Sequence, residues 1–182
     1  MKMNTYSGKR FDPMKMTKED IDANDICHAL SLLCRGAGQI RWFYSVGEHS
    51  LNCMKEAKAR CYSTRVVLAC LLHDSSEAYL ADVIRPIKKH LQNYNEIEDM
   101  VLKTILEHFG LVLTQEETAL WKQVDNDLLE NELKVLMPGA EVIEPVQLAS
   151  VPNFTFRPFI EVEKELKENI ELLSALLFTE KQ

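Results

Sequence analysis

The chain has no excess of positive charge, no long apolar run and no paired cysteine motif. Lys and Arg number 21 against 28 Asp and Glu, a formal net charge of −7. Duplex nucleic acid is gripped through a basic stripe that neutralises phosphates, so this balance argues against a general duplex-binding surface. A small phosphorylated ligand remains open, since two or three local cations suffice for it. No apolar stretch approaches the roughly 20 residues of a bilayer-spanning helix. The opening residues from Met1 to Gly8 contain no apolar core of a leader peptide, so neither a membrane partner nor secretion is expected. The five cysteines, 27, 34, 53, 61 and 70, are odd in number and form no Cys-x-x-Cys pair. Free thiols, mostly buried in apolar helices, in a reducing cytoplasm are the expectation. Internal repeats and a convincing strand pattern are also missing.

What is present reads as helix. At 182 residues, 46% of them hydrophobic and 27% charged, the sequence fits one soluble domain spanning 1–182. Residues 1–20 are polar, broken by Gly8 and Pro13, and read as an arm or short hairpin. Asp22 can cap a first helix that runs through Ile26, Leu30 and Leu33 until Gly36. Ser45 can cap a second, reaching about Arg60, and Thr64 a third that carries His73 and Asp74 near its end. A fourth runs from about Tyr94 to Gly110. Thr114-x-x-Glu117 is a capping box that opens a fifth, reaching Met137. Residues 138–157, with Pro145 and Pro152, read as an irregular connection. A final amphipathic helix covers 158–180. The expectation is an all-α fold.

The chemistry concentrates around His73-Asp74. This doublet closes the apolar run Val66–Leu72, and Glu77 and Asp82 follow close behind. Ionisable groups straight after a buried helix are costly unless paired or bound to a metal. His49 lies one helix upstream, with Val46 and Cys53 as its i−3 and i+4 neighbours, so it faces the apolar side. In the fifth helix Asp125 is flanked at helical spacing by Trp121, Leu128 and Leu129, whereas Asp127 has polar neighbours and reads as facing solvent. Imidazoles and carboxylates converging from separate helices suit a divalent transition metal. Each residue taken alone has a plainer reading. A histidine on an apolar face is commonly a satisfied core residue, and a His-Asp doublet arises often by chance. The combination is what argues for a site. His28, with no acidic partner nearby in sequence, reads as a packed core residue.

The order His, His-Asp, Asp resembles the signature of the HD-domain metal phosphohydrolases. The closer resemblance is to the YfbR-type 5′-deoxynucleotidases and related bacterial and phage phosphohydrolases. It is carried by Tyr6-Ser7-Gly8, by Asp25 to Ser31, by Phe43 to Ser50, by Leu71 to Asp82 and by Lys122 to Asp125. The resemblance implies that His49, His73, Asp74 and Asp125 ligate one divalent cation, Mn, Co, Fe, Ni or Zn. It implies that Glu77 and Asp82 are the catalytic acidic pair beside it. Ala78 after Glu77 counts against an alarmone hydrolase, whose doublet is followed by Glu-Asp together. Arg35 falls about where the deoxynucleotidases place a substrate-binding arginine, with Arg41 and Lys88 as further candidate phosphate contacts. Trp42, Phe43 and Tyr44 could line a base pocket or simply pack in the core.

The expected activity is hydrolysis of (deoxy)nucleoside monophosphates by metal-activated water, in a cytoplasmic protein that is a homo-oligomer, as relatives imply. Two alternatives stand beside it: a deoxynucleoside triphosphate triphosphohydrolase, and a regulatory module that binds nucleotide or metal without turnover.

Overall fold

A computed structural model describes residues 1–140 and 144–180. Strands β1 (Met3–Asn4) and β2 (Arg10–Phe11) pair antiparallel in a short hairpin, the only sheet among the described residues. The rest is helical: α1 (Ala23–Leu32), α2 (Val46–Ala59), α3 (Thr64–Leu72), α4 (Glu77–Leu80), α5 (Arg85–Lys88), α6 (Tyr94–His108), α7 (Gln115–Leu136) and α8 (Phe159–Glu180). The fold is all-α.

Local chemistry sets the ends of these helices. Asp22 accepts from the Asn24 amide to start α1, and reciprocal capping boxes start α2 (Ser45 with Glu48) and α7 (Thr114 with Glu117). The cap of α3 is Ser63, whose side chain accepts from the Val66 amide, and not Thr64. Adjacent hydroxyl residues compete for that role, and the first of them takes it. α1 also stops earlier than its composition suggests. Cys34 bridges to Ser45 and the Arg35 amide donates to the Tyr44 carbonyl, so the chain leaves the helix after Leu32. It then bends through Gly36 and Ala37, both in the left-handed region. That bend delivers Arg35 towards the interior.

α3 is the central rod. Every residue from Val66 to Leu72 is buried, as expected of a helix apolar on all sides. It packs against α2, α7 and α8, while α1 lies against α2 and α8. Gly47 permits the close approach of α2 to its neighbours: a Cβ there would lie 2.8 Å from Leu166 and 3.1 Å from the Leu30 carbonyl. α6 instead leans on the N-terminal turns, with Lys18 paired to Glu107 and its carbonyl accepting from His108. This leaves open space between α6 and α7.

The connection over 138–157, apart from 141–143, which lie outside the described residues, is pinned to α2. Buried Glu56 accepts from the Ala149 and Ser150 amides, the Ser150 hydroxyl and Arg60. Arg60 reaches on to Asp127 at 2.9 Å, so that carboxylate is held by a cation from α2 where sequence spacing suggested solvent. The indole of Trp42 donates to the Phe154 carbonyl, and Phe43 and Tyr44 meet Phe156 and Phe154 edge-on. These aromatics therefore anchor the connection. No described helix is long and apolar enough to cross a membrane.

Candidate functional site

Three helices deliver polar side chains to one point beside α3. α2 supplies His49 and Cys53 one turn apart, the end of α3 supplies His73 and Asp74, and α7 supplies Asp125 and Glu132 two turns apart. His49 Nε2 lies 3.1 Å from His73 Nε2 and 3.1 Å from Asp125 Oδ1. It lies 3.6 Å from Asp74 Oδ2 and 3.5 Å from Cys53 Sγ. His73 Nε2 is 3.3 Å from Asp74 Oδ1 and 3.7 Å from Asp125 Oδ1. Both imidazoles are buried. His49, Cys53 and His73 form a cluster that could hold a metal ion.

The far nitrogen of each ring fixes its tautomer. His49 Nδ1 donates to Glu132 Oε1 at 2.7 Å, and His73 Nδ1 donates to the Cys70 carbonyl at 2.8 Å. A carboxylate and a carbonyl can only accept, so in the neutral rings both Nε2 lone pairs face each other and the two carboxylates. Convergent acceptors repel unless a positive charge sits among them. Arg35 supplies part of it, through Nη1 to Asp74 at 3.1 Å, Nη2 to His49 Nε2 at 3.0 Å and Nε to Glu132 at 3.4 Å. Arg85 adds a bond of 2.6 Å to Asp125 Oδ2.

The field at this point still favours more positive charge. Burial and Arg35 push the His49 imidazole down, yet the carboxylates of Glu132 and Asp125 outweigh them and hold its pKa well above the usual value. Burial alone would raise the Asp125 carboxyl, but the bonds to His49 and His73 hold it well below the carboxylate range. Cys53 is different: burial, opposed by His49, pushes its thiol up to about 11. Near neutral pH the anionic donors here are therefore oxygens, and Cys53 stays a neutral thiol.

Glu77 opens α4 with 4% of its surface exposed, and its Oε2 has no hydrogen-bond partner. Burial, then Asp74 and Asp82, hold its carboxyl well above the ordinary range. Asp82 accepts from the Gly36 amide at 2.9 Å. Lys88 lies 3.9 Å from Glu77 and 2.6 Å from Glu98. These residues, with Arg35, His73, Asp74, Asp125 and Glu132, line a cavity of about 920 Å³ that continues between α6 and α7. Arg41 is exposed and does not line it.

Two residues of the site escaped the sequence reading. Glu132 sits seven residues after Asp125 on the same face of α7, a spacing that could have found it. Arg85, next to Pro86, reads as an ordinary turn cation. His28 does have an acidic partner: Glu163 reaches its Nδ1 at 3.0 Å from 135 positions away, while Tyr6 stacks on its ring. No local pattern announces either contact.

No protein-family model matches the chain. It is 30% identical over 179 residues to the uncharacterized protein YfdR of Escherichia coli (strain K12), covering 91% of this chain and 96% of that protein. It is 39% identical over 111 residues to the uncharacterized protein RCAP_rcc00048 of Rhodobacter capsulatus, covering 58% of this chain and 56% of that one.

Proposed function

The chain belongs to the family of Escherichia coli YfdR, and we propose that it is a metal-dependent phosphohydrolase of the HD type. The proposed reaction releases phosphate from nucleoside monophosphates, deoxynucleotides foremost. The observation that carries the reading is the convergence of four donors, His49, His73, Asp74 and Asp125. Bonds of about 2.0–2.2 Å in a tetrahedral arrangement leave ligand atoms about 3.3–3.6 Å apart. The separations measured from the two imidazoles to the carboxylates and to each other run from 3.1 to 3.7 Å. The donor set fits a divalent transition cation, and Mn, Co, Fe, Ni and Zn all accept mixed nitrogen and oxygen ligands. Such a cation lowers the pKa of water and polarises a phosphoryl oxygen.

The chain's own groups have distinct tasks in this reading. Arg35 is a largely buried cation beside the ligands, placed to meet charge that develops on the phosphoryl oxygens. Its bond to Glu132 fixes the guanidinium before substrate arrives. Glu77 lines the cavity, has a buried oxygen without a hydrogen-bond partner and a carboxyl held up in pKa, which suits a group that orients the attacking water and takes its proton. Asp82 is assigned the leaving oxygen or the sugar hydroxyl, and Lys88 a supporting positive charge near Glu77. Arg41, exposed outside the cavity, has no part in this scheme.

The test is a panel of ribo- and deoxynucleoside mono- and triphosphates incubated with metal-reconstituted protein, with products separated by chromatography. Phosphate from monophosphates, lost in Asp74→Ala, is the expected result. Tripolyphosphate would move the protein to the triphosphohydrolases. No turnover with any of the five metals would sink the reading.

A further inference from the structure

The cavity is built for more than a phosphate. Its volume of about 920 Å³ lies near the top of the roughly 300–1,000 Å³ range of small-molecule sites. Arg35 and the ligand cluster mark one end of it. The walls of the arm between α6 and α7 are largely apolar, with Leu102 and Leu106 on α6 and Trp121, Leu129 and Leu133 on α7. All five are half-buried, so they face the arm without closing it.

Trp121 joins the two ends. Its ring centroid lies 5.5 Å from that of His73, tilted by 37°, so the indole stands directly beside the ligand cluster. Asn95 and Thr118 are the only uncharged polar side chains among the described residues that line the cavity. Neutral groups that could read the hydrogen-bonding edge of a base are therefore few. The charges that line the arm also have both signs, with Lys103 and Lys122 set against Glu98, Asp99 and Glu107. A second anionic group finds no consistent positive field there.

We infer that the arm between α6 and α7 is a subsite for an uncharged body held by apolar contact, the ring faces of a nucleobase or an alkyl or aryl group in its place, carried by the phosphoester and seated against Trp121. The phosphate end of this inference rests on the phosphohydrolase reading, whereas the arm rests on its own lining. Affinity for the body comes from apolar area removed from water and not from directional bonds. It therefore grows with the size of the body and tolerates changes in its identity.

A series of n-alkylphosphonates, from methyl to octyl, tests this without turnover, because the carbon–phosphorus bond resists hydrolysis. Binding to Mn²⁺-loaded protein is measured by calorimetry. The chain has two tryptophans, so Trp42→Phe, at a site outside the cavity, leaves Trp121 as the sole indole reporter. The expected result is an affinity gain of about three- to fourfold per methylene, with a blue shift of Trp121 emission. Trp121→Ala and, separately, Leu106→Asn should flatten the series, and Leu106→Asn should do so while leaving methylphosphonate affinity unchanged. Flat affinity in the native protein, or a slope that survives both variants, overturns the subsite. If no phosphonate binds but 1-octanol still shifts Trp121 emission, the arm stands and the phosphoester reading falls.

Discussion

Glu132 Oε1 lies 2.7 Å from His49 Nδ1, and the same carboxylate also accepts from Tyr44 and Arg35. One buried anion thus fixes the tautomer of an imidazole and the direction of a guanidinium. Burial would raise its pKa, but His49 and Arg35 outweigh that and keep it ionised. A carboxylate behind a ligating histidine typically contributes 10- to 100-fold in metal affinity or activity. Glu132→Gln keeps the shape and removes the charge. It should weaken metal binding by about tenfold or more, as read by competition with a chromophoric chelator. Unchanged metal affinity would mean that Glu132 serves packing alone.

Much of this arrangement is legible in the sequence, and what is not has a physical reason. Capping boxes at Ser45 and Thr114 and the apolar run before His73 are local signals, so α2, α7 and the end of α3 can be located from them. The early end of α1 depends on a bridge from Cys34 to Ser45, eleven positions away, which no window around Leu33 encodes. Glu132 is hidden because a glutamate inside an amphipathic helix usually meets solvent. Only the position of Asp125 two turns earlier marks its face as inward. Asp127 fails in the opposite sense, since its partner Arg60 comes from another helix.

Metal should stabilise the fold through the same cluster. A cation that binds only the folded state, at about 100 times its dissociation constant, adds about 2.7 kcal/mol. For a chain of this size that is about 5–10 °C in melting temperature. Scanning calorimetry with and without Mn²⁺ or Zn²⁺ should show this rise in the native protein and none in Asp125→Asn. An equal rise in both would place the ion elsewhere.

Glu77 should show the conflict between activity and stability. Glu77→Gln is expected to retain metal affinity while turnover drops by about 10²–10⁴-fold, the usual contribution of a positioned acid or base. In the metal-free protein the same change should be stabilising at neutral pH. A carboxyl with a raised folded pKa binds a proton that the unfolded chain has lost, so its stability contribution falls as pH rises above the unfolded value near 4.5. The variant lacks that fall. Urea midpoints of the two proteins should therefore converge near pH 4 and separate towards pH 8, with the variant the more stable.

Glu56 should behave with the opposite sign. Burial would raise its carboxyl, but the Ser150 hydroxyl, the Ala149 and Ser150 amides and Arg60 hold it below the ordinary value. A depressed folded pKa gives stability that is present above the unfolded pKa and is lost as pH falls through the folded one. Since Glu56 is fully buried and answers Arg60 at 2.7 Å, Glu56→Ala leaves that cation with Asp127 alone and strips the Ala149 and Ser150 amides of their acceptor, while Asn52 still holds Asn153. The cost should be about 3 kcal/mol at pH 7, with amide exchange at Ala149 and Ser150 accelerated first. The gap between native and variant urea midpoints should close on acidification below pH 4, as at Glu77, but here the native protein is the more stable at neutral pH. A gap that persists unchanged to pH 3 would show that the clamp works by packing and not by the charge on Glu56.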